Sequence, residues 1–406
     1  MKLTTPFIIA SLPFMALAGP IAKGFSIPIS KRGPALTQDG VVNMKAINAH
    51  LRHVAIKYNA GLKNDKKDTS LVHHAARSRP SKSGAVALTG DDRQLWYGII
   101  SVGTPPKDFT ADFDTGSSDP FLPDISCNNC GNHTRYDPCS SSTSSEVGKT
   151  FRITYADNST SSGVIYTDTV TVAGLTAKNQ SLGSATDYST EFQTAPMDGL
   201  LGLAWPGLST FNSTPFFHTL IQQRSVKEPV FAFHLSDSGS SLRLGGTDES
   251  LYRKPLTYSN VTRLIYWEVH LDGINVGQNR TSSHQSAVID TGTTLIVADP
   301  VTVGKFYQAI KGSAIVNQTD GITYYSYPCN SDPQVSVTLN NVSYSISSKY
   351  LNFGQISEGS SDCFAGVAAI EGLDLVILGD AFLQNVYAVF DVGNTRVGIA
   401  ELSEKH

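Results

Sequence analysis

Apolar and polar positions alternate in short runs along most of the chain. Phe151-Arg152-Ile153-Thr154-Tyr155 and Thr167 to Val172 have the period of two that sends side chains to opposite faces of a strand. Gly, Asn, Asp and Ser break such runs at short intervals, so a mostly β protein is expected. Helical spacing is confined to a few segments. Pro215 to Arg224 and Pro300 to Lys311 each open with a proline suited to the first helical position and carry helix-spaced apolar residues. Nearer the start, Phe25-Ser26-Ile27-Pro28-Ile29 reads as a short strand and Val41 to Tyr58 as a helix.

One pattern recurs. Asp114-Thr115-Gly116 and Asp290-Thr291-Gly292 each follow an apolar run and precede hydroxyl residues, Ser117-Ser118 and Thr293-Thr294. An apolar-apolar-Gly element follows each: Leu200-Leu201-Gly202 lies 88 positions after Asp114, and Ile377-Leu378-Gly379 lies 89 after Asp290, counted to the glycine. One Asp-Thr-Gly is a common turn, with Asp capping and Gly bending. Two copies with matching sequels point to one strand-rich unit present twice.

The ends of the chain alter the picture. Phe7 to Ala18 is apolar behind Lys2 and closes with Ala16-Leu17-Ala18, as in a secretory signal over 1–18. It is too short to span a membrane, no other run approaches twenty apolar residues, and no stable membrane association is expected. From Gly19 to Ser83 there are 12 Lys and Arg against 3 Asp, whereas Gly84 to His406 carries 18 against 32. A leader of +9 preceding a body of −14 is expected to lie on that body as a propeptide. Asn59 to Ser83 is polar and basic, with Arg77-Ser78-Arg79-Pro80, and suits an exposed, cleavable connector. The propeptide is therefore 19–83, its end falling within 77–89, and the lobes are 84–252 and 253–406. The acidic body excludes a nucleic-acid partner.

Eight Asn-x-Ser/Thr sequons, at Asn132, Asn158, Asn179, Asn212, Asn260, Asn279, Asn317 and Asn341, all lie beyond the leader and suit an exported glycoprotein. Five cysteines permit two disulfides. If bridges stay within lobes, Cys329 pairs with Cys363, while Cys127, Cys130 and Cys139 compete for the other. Cys127-x-x-Cys130 has only His133 as a further ligand nearby, too few for zinc, and neither metal nor cofactor is implied.

Paired carboxylates carry the chemistry. If the two loops meet between lobes, Asp114 and Asp290 cannot both ionise cheaply and share a proton, one acting as base and the other as acid. The pair can then activate a water and polarise a carbonyl, hydrolysing peptide bonds without a covalent intermediate. Gly116 and Gly292 allow backbone amides to approach the carboxylates, Ser117 and Thr293 can donate to their outer oxygens, and Thr115 and Thr291 can brace the loops.

These residues, with Tyr97-Gly98-Ile99-Ile100-Ser101-Val102-Gly103-Thr104-Pro105-Pro106, Ile153-Thr154-Tyr155, Asp198-Gly199-Leu200-Leu201-Gly202-Leu203 and Ile377-Leu378-Gly379-Asp380, make Leu95 to Glu401 resemble the pepsin-like aspartic proteases, especially fungal secreted ones. Pepsin is itself the reference case of the shared-proton dyad. The resemblance implies a bilobal β fold with a cleft between lobes, catalytic Asp114 and Asp290, and a hairpin flap carrying Tyr155, Ala156 and Asp157. It also implies a Cys329–Cys363 bridge and an inhibitory Lys57-Tyr58 whose ammonium sits between the carboxylates. Met197 and Leu200 would line the subsite before the scissile bond, and Asp157 would let it accept Lys. Where the family usually has Leu-Trp after the first loop, this chain has Pro120-Phe121, and phenylalanine offers no donor to the flap tyrosine. Ala156 replaces the usual flap glycine, and Cys139 a common serine.

The expected activity is that of a secreted acid endopeptidase made as a zymogen, monomeric, acting on polypeptides and preferring large hydrophobic residues. A vacuolar destination is the alternative location. The competing function is a non-catalytic binding or inhibitor protein on the same fold.

Overall fold

A computed structural model describes residues 36–64, 83–87, 89–90, 96–154, 160–237 and 239–403. Phe25–Ile29, the connector from 65 to 82, and the flap residues Tyr155, Ala156, Asp157 and Asn158 lie outside them.

The repeat seen in the sequence is a three-strand unit built twice. Strand Lys107–Asp114 runs parallel to Gly199–Gly202, which meets Phe121–Pro123 antiparallel. In the second half Gln285–Ile289 runs parallel to Val376–Leu378, which meets Ile296–Ala298 antiparallel. The glycine ending each apolar-apolar-Gly element is there because backbone crosses backbone. A Cβ on Gly202 would stand 2.4 Å from the carbonyl carbon of Ser118, and one on Gly379 would stand 2.1 Å from the carbonyl oxygen of Thr293.

In the first half these strands belong to an eight-stranded sheet that continues through the long hairpin Thr160–Val172 and Leu175–Tyr188. Its turn, Ala173-Gly174, has positive φ at both residues, as a two-residue hairpin requires. A ladder of six strands then joins early and late chain in the order Gly84–Ala87, Ser241–Leu244, Val230–His234, Val386–Asp391, Arg396–Glu401 and Thr257–Leu264. Phe231 stacks on Phe390 at 4.8 Å, and Trp267 bridges Phe390 at 5.1 Å and Trp205 at 4.7 Å. This aromatic core ties the strand-end loops of both halves to one base, because Trp267 Nε1 also donates to Leu203 O at 3.0 Å.

Among the described residues of the body, helices are short and few, as the spacing predicts. Phe216–Gln222 follows Pro215, which serves as its cap rather than its first residue. Pro300–Gln308 opens at the proline, with Asp299 accepting from the amides of Val301 and Thr302. Both stop before the expected ends, the first where Arg224 takes a left-handed φ of 57°.

The leader folds on the body. A hairpin of Thr37–Gln38 and Val41–Val42 turns at Asp39-Gly40, and Val41 lies parallel to Gln355. Helix Met44–Asn64 then begins where Asn43 Oδ1 accepts from Ala46 N at 3.1 Å. Ile47, Leu51, Val54 and Tyr58, spaced along one face, are fully buried against second-half residues including Tyr266, Val288, Leu295 and Tyr324. The helix runs to Asn64, six residues into the segment read as connector. Ala60, Leu62 and Lys63 are good helix formers, and no proline interrupts them.

Candidate active site

Both Asp-Thr-Gly loops leave the C-terminal ends of equivalent strands and meet between the halves, with Asp114 2% exposed and Asp290 0%. Two threonines lock them together. Thr115 N donates to Thr291 Oγ1 at 3.1 Å and Thr291 N to Thr115 Oγ1 at 3.0 Å. Each hydroxyl then donates across to the opposite strand, Thr115 to Ile289 O at 2.9 Å and Thr291 to Phe113 O at 2.6 Å. Four reciprocal bonds, all buried, fix the spacing of the carboxylates more firmly than either loop could alone.

The glycines play the part expected of them. Gly116 N donates to Asp114 Oδ1 at 2.7 Å and Gly292 N to Asp290 Oδ1 at 3.0 Å. A Cβ on Gly292 would fall 2.2 Å from Asp114 Oδ1, and one on Gly116 2.5 Å from Asp290 Oδ1. Each loop thus presses bare backbone against the opposite carboxylate. Thr293 Oγ1 donates to Asp290 Oδ2 at 2.5 Å. Ser117 differs: its hydroxyl makes no bond of good geometry among the described residues, and its downward pull on the Asp114 carboxyl is smaller than those of burial, Lys57 and Asp290.

The environment splits the two acids. Burial pushes the Asp114 carboxyl up, Lys57 opposes that, and the charge of Asp290 adds to it. At Asp290 burial also pushes upward, but Lys57, Thr293 and Asp114 outweigh it and the carboxyl ends below its ordinary value. The two carboxyls are thus pushed apart, Asp114 upward and Asp290 downward, which is the direction of division a general acid and base need.

Lys57 sits between them. Its Nζ is 2.7 Å from Asp114 Oδ1 and 3.0 Å from Asp290 Oδ2. Burial lowers the ammonium's pKa, but the two carboxylates more than reverse this and hold it charged. Tyr58 Oη donates to Asp290 Oδ2 at 2.9 Å, and Tyr266 Oη donates to the carbonyl of Lys57 at 2.9 Å. Thr294 N donates to His50 Nε2 at 3.0 Å. Tyr58 was read from the sequence only as the partner of Lys57 in the inhibitory dipeptide, and the roles of Tyr266 and His50 were not read at all. A signal existed for His50, which lies seven residues, two helical turns, before Lys57 and therefore on the same face.

Leu200 is buried in an aromatic cluster with Phe121, Phe151, Tyr188, Phe192 and Phe211, and Met197 is buried close by in the chain. His53 of the leader helix meets Phe192 edge-on at 6.4 Å. Cys127 bonds Cys130 and Cys329 bonds Cys363, leaving Cys139 exposed and free. His133, the nearest His to the first pair, lies 3.6 Å from Asp198 and its Nε2 is 2.8 Å from Phe192 O. Asn132, Asn179, Asn212, Asn260, Asn279, Asn317 and Asn341 are exposed.

Comparison with known proteins agrees with this geometry. Residues 95–402 match the family model described as "Eukaryotic aspartyl protease". The chain is 39% identical over 350 residues to an aspartic protease of Phaffia rhodozyma, covering 84% of this chain and 85% of that protein. It is 34% identical over 376 residues to penicillopepsin-1 of Talaromyces stipitatus, covering 90% and 94%, and 36% identical over 356 residues to cathepsin D of Canis lupus familiaris, covering 78% and 85%. With its family matched across the whole body and its two carboxylates on mutually braced loops, the chain belongs to the eukaryotic aspartyl proteases and is an aspartic endopeptidase of the pepsin family.

Proposed function

We propose that the chain is a secreted acid endopeptidase made as a zymogen, with Asp114 and Asp290 as its catalytic pair. The observation that carries this is the buried meeting of two carboxylates on loops joined by four threonine bonds. With the leader gone, a water takes the place of the Lys57 ammonium between them. The ionised aspartate removes a proton from that water as its oxygen attacks the peptide carbonyl, and the protonated aspartate gives its proton to the carbonyl oxygen. Collapse of the resulting tetrahedral diol returns a proton through the same pair to the leaving amine, so both carboxyls end as they began.

The leader's geometry supports latency. Lys57 and Tyr58 together engage both carboxylates, and the helix carrying them packs on second-half residues including Tyr266 and Val288. The match to penicillopepsin-1 covers more of this chain than residues 84–406 can supply, so it reaches into the leader. Two disulfides among the described residues suit the secretory route, with release from the cell as its end. The aromatic cluster around Leu200 supports a preference for large hydrophobic side chains beside the scissile bond. By the resemblance to fungal members of the family, Asp157, which lies outside the described residues, is the residue we assign to let that subsite accept a substrate lysine.

Asp114→Asn and Asp290→Asn test the assignment. Each processed variant should fold and lose at least about 10³-fold of kcat/KM on a denatured protein substrate in acid, since acid–base catalysis of this kind supplies factors of 10²–10⁴. Substantial turnover by either, free of wild-type enzyme, would refute the pair.

A further inference from the structure

Two more carboxyls lie beside the dyad without a part in this mechanism. Asp112 is two residues ahead of Asp114 on the same strand and so shares its face; it sits across from Tyr97 and Leu200 and is 3% exposed. Asp380 follows Gly379 in the matching element of the second half and is 0% exposed. Its amide donates to Thr293 O at 2.8 Å, and Thr293 is the residue whose hydroxyl holds Asp290. Asp112 is thus joined to Asp114 along one strand, and Asp380 to Asp290 through one threonine.

Among the described residues, neither has a cation of its own. Asp112 Oδ1 and both carboxyl oxygens of Asp380 are buried without a hydrogen-bond partner among the described residues. Asp112 is faced by Asp114, Lys57 and Asp290, and Asp380 by Asp112, Asp290 and Lys57, with the neutral Trp96 indole also beside Asp380. That indole draws on Asp380 without making a bond of good geometry. An unpaired buried carboxylate is so unfavourable that such a group stays neutral instead. Burial first, then Asp114 at Asp112 and Asp112 at Asp380, push both carboxyls well above the ordinary range, while Lys57 draws both back.

We propose that Asp112 and Asp380 are a second carboxyl pair, one from each lobe, which must carry its protons for the dyad loops to keep their working geometry and which therefore sets the neutral-side pH limit of the processed enzyme. The inference rests on the reading of Asp114 and Asp290 as the catalytic pair and gives Asp112 a positioning role within it. In the precursor, the Lys57 ammonium faces all four carboxyls and offsets their charge. Processing removes it. Because both groups hold their protons more tightly folded than unfolded, the stability they add is complete below about pH 4 and is lost as pH rises through their raised values. A charge then appears against Asp114 and Asp290 with nothing to balance it.

Asp112→Asn and Asp380→Asn, alone and combined, keep the shape and remove the titration. In the processed double variant, the neutral-side midpoint of the kcat/KM profile should rise by about one pH unit or more, and the fluorescence midpoint for unfolding should rise with it. The acid limb, which belongs to the dyad, should stay in place. A role in packing alone would change stability equally at pH 3 and pH 7. An unmoved neutral limb in a folded variant, or an equal shift in the precursor, would overturn the proposal. If the variants do not fold, the processed wild-type enzyme carries the test: at pH 5.5 its infrared spectrum should keep the carbonyl band of undissociated carboxyls, and absence of that band overturns it too. A folded enzyme inactive at every pH would instead count against the dyad reading and leave the unfolding midpoint free to judge this one.

Discussion

Replacing His50 by glutamine should delay release of the leader until the medium is more acid. Thr294 N–H donates to His50 Nε2 at 3.0 Å, so that nitrogen carries no proton while the leader is docked. Burial chiefly, and then the Lys57 ammonium, hold the ring's pKa down from 6.5 to about 4, against a smaller upward pull from Asp290. On a released leader the same ring titrates near its ordinary value. Between those limits the free leader binds a proton that the docked one refuses, so His50 favours docking fully above about pH 6.5 and progressively less down to about pH 4. The difference corresponds to about 3 kcal/mol for a fully enclosed ring, and to about 1–2 kcal/mol once screening of this partly buried residue is counted. Glutamine can accept from the same amide and does not titrate. The His50→Gln precursor must therefore wait for the next acid step, protonation of Asp290, whose lowered carboxyl keeps its hold on Lys57 until pH falls below the ordinary carboxylate range. His50→Leu should act in the opposite direction, because it removes the acceptor of the Thr294 N–H bond and puts nothing polar in its place, a loss of about 1–3 kcal/mol. Precursors incubated from pH 3 to 7 and assayed for leader loss on gels, with a quenched peptide to report activity, would give the three midpoints. Equal midpoints for wild type and His50→Gln would show that carboxylates alone govern release.

Thr291→Val removes the bond to Phe113 O and the acceptor for Thr115 N, leaving two buried groups unsatisfied. It should cost about 2–4 kcal/mol in urea unfolding and lower kcat, with Thr115→Val adding less than its own single effect because the bonds are shared; a loss under about 0.5 kcal/mol would refute the brace. His218 is a liability in acid: burial lowers its pKa from 6.5 to about 4, both ring nitrogens lack partners among the described residues, and its ring packs on Trp205 at 5.4 Å. The stability tied to its neutral form is whole above about pH 6.5 and lost as pH falls toward 4, so His218→Phe should raise Tm at pH 4 and change it little at pH 7.5. Equal shifts at both pH values would assign the effect to packing instead.

The parts of this molecule that were legible in the sequence are those enforced by local backbone geometry. Gly116, Gly202, Gly292 and Gly379 recur because each stands where a Cβ would enter another backbone segment or the facing carboxylate, and such a requirement leaves the same residue at each copy of the unit. Period-two strands and proline-led helices were legible for the same reason. The Cys329–Cys363 bond was legible once bridges were confined to lobes, but the first-lobe pairing was not, since Cys127, Cys130 and Cys139 differ only in where later folding carries them. Asp112 and Asp380 were present in the strings Ala111-Asp112-Phe113 and Leu378-Gly379-Asp380, but their significance depends on a meeting between positions 268 residues apart. A warning was nevertheless written there: a carboxyl inside an apolar strand has to be paired, neutral or functional. Next to a dyad that works by sharing one proton, a buried neutral carboxyl does not stay a bystander. Any charge it acquires acts on the same two oxygen pairs, so the pH range of this enzyme belongs to four carboxyls rather than two.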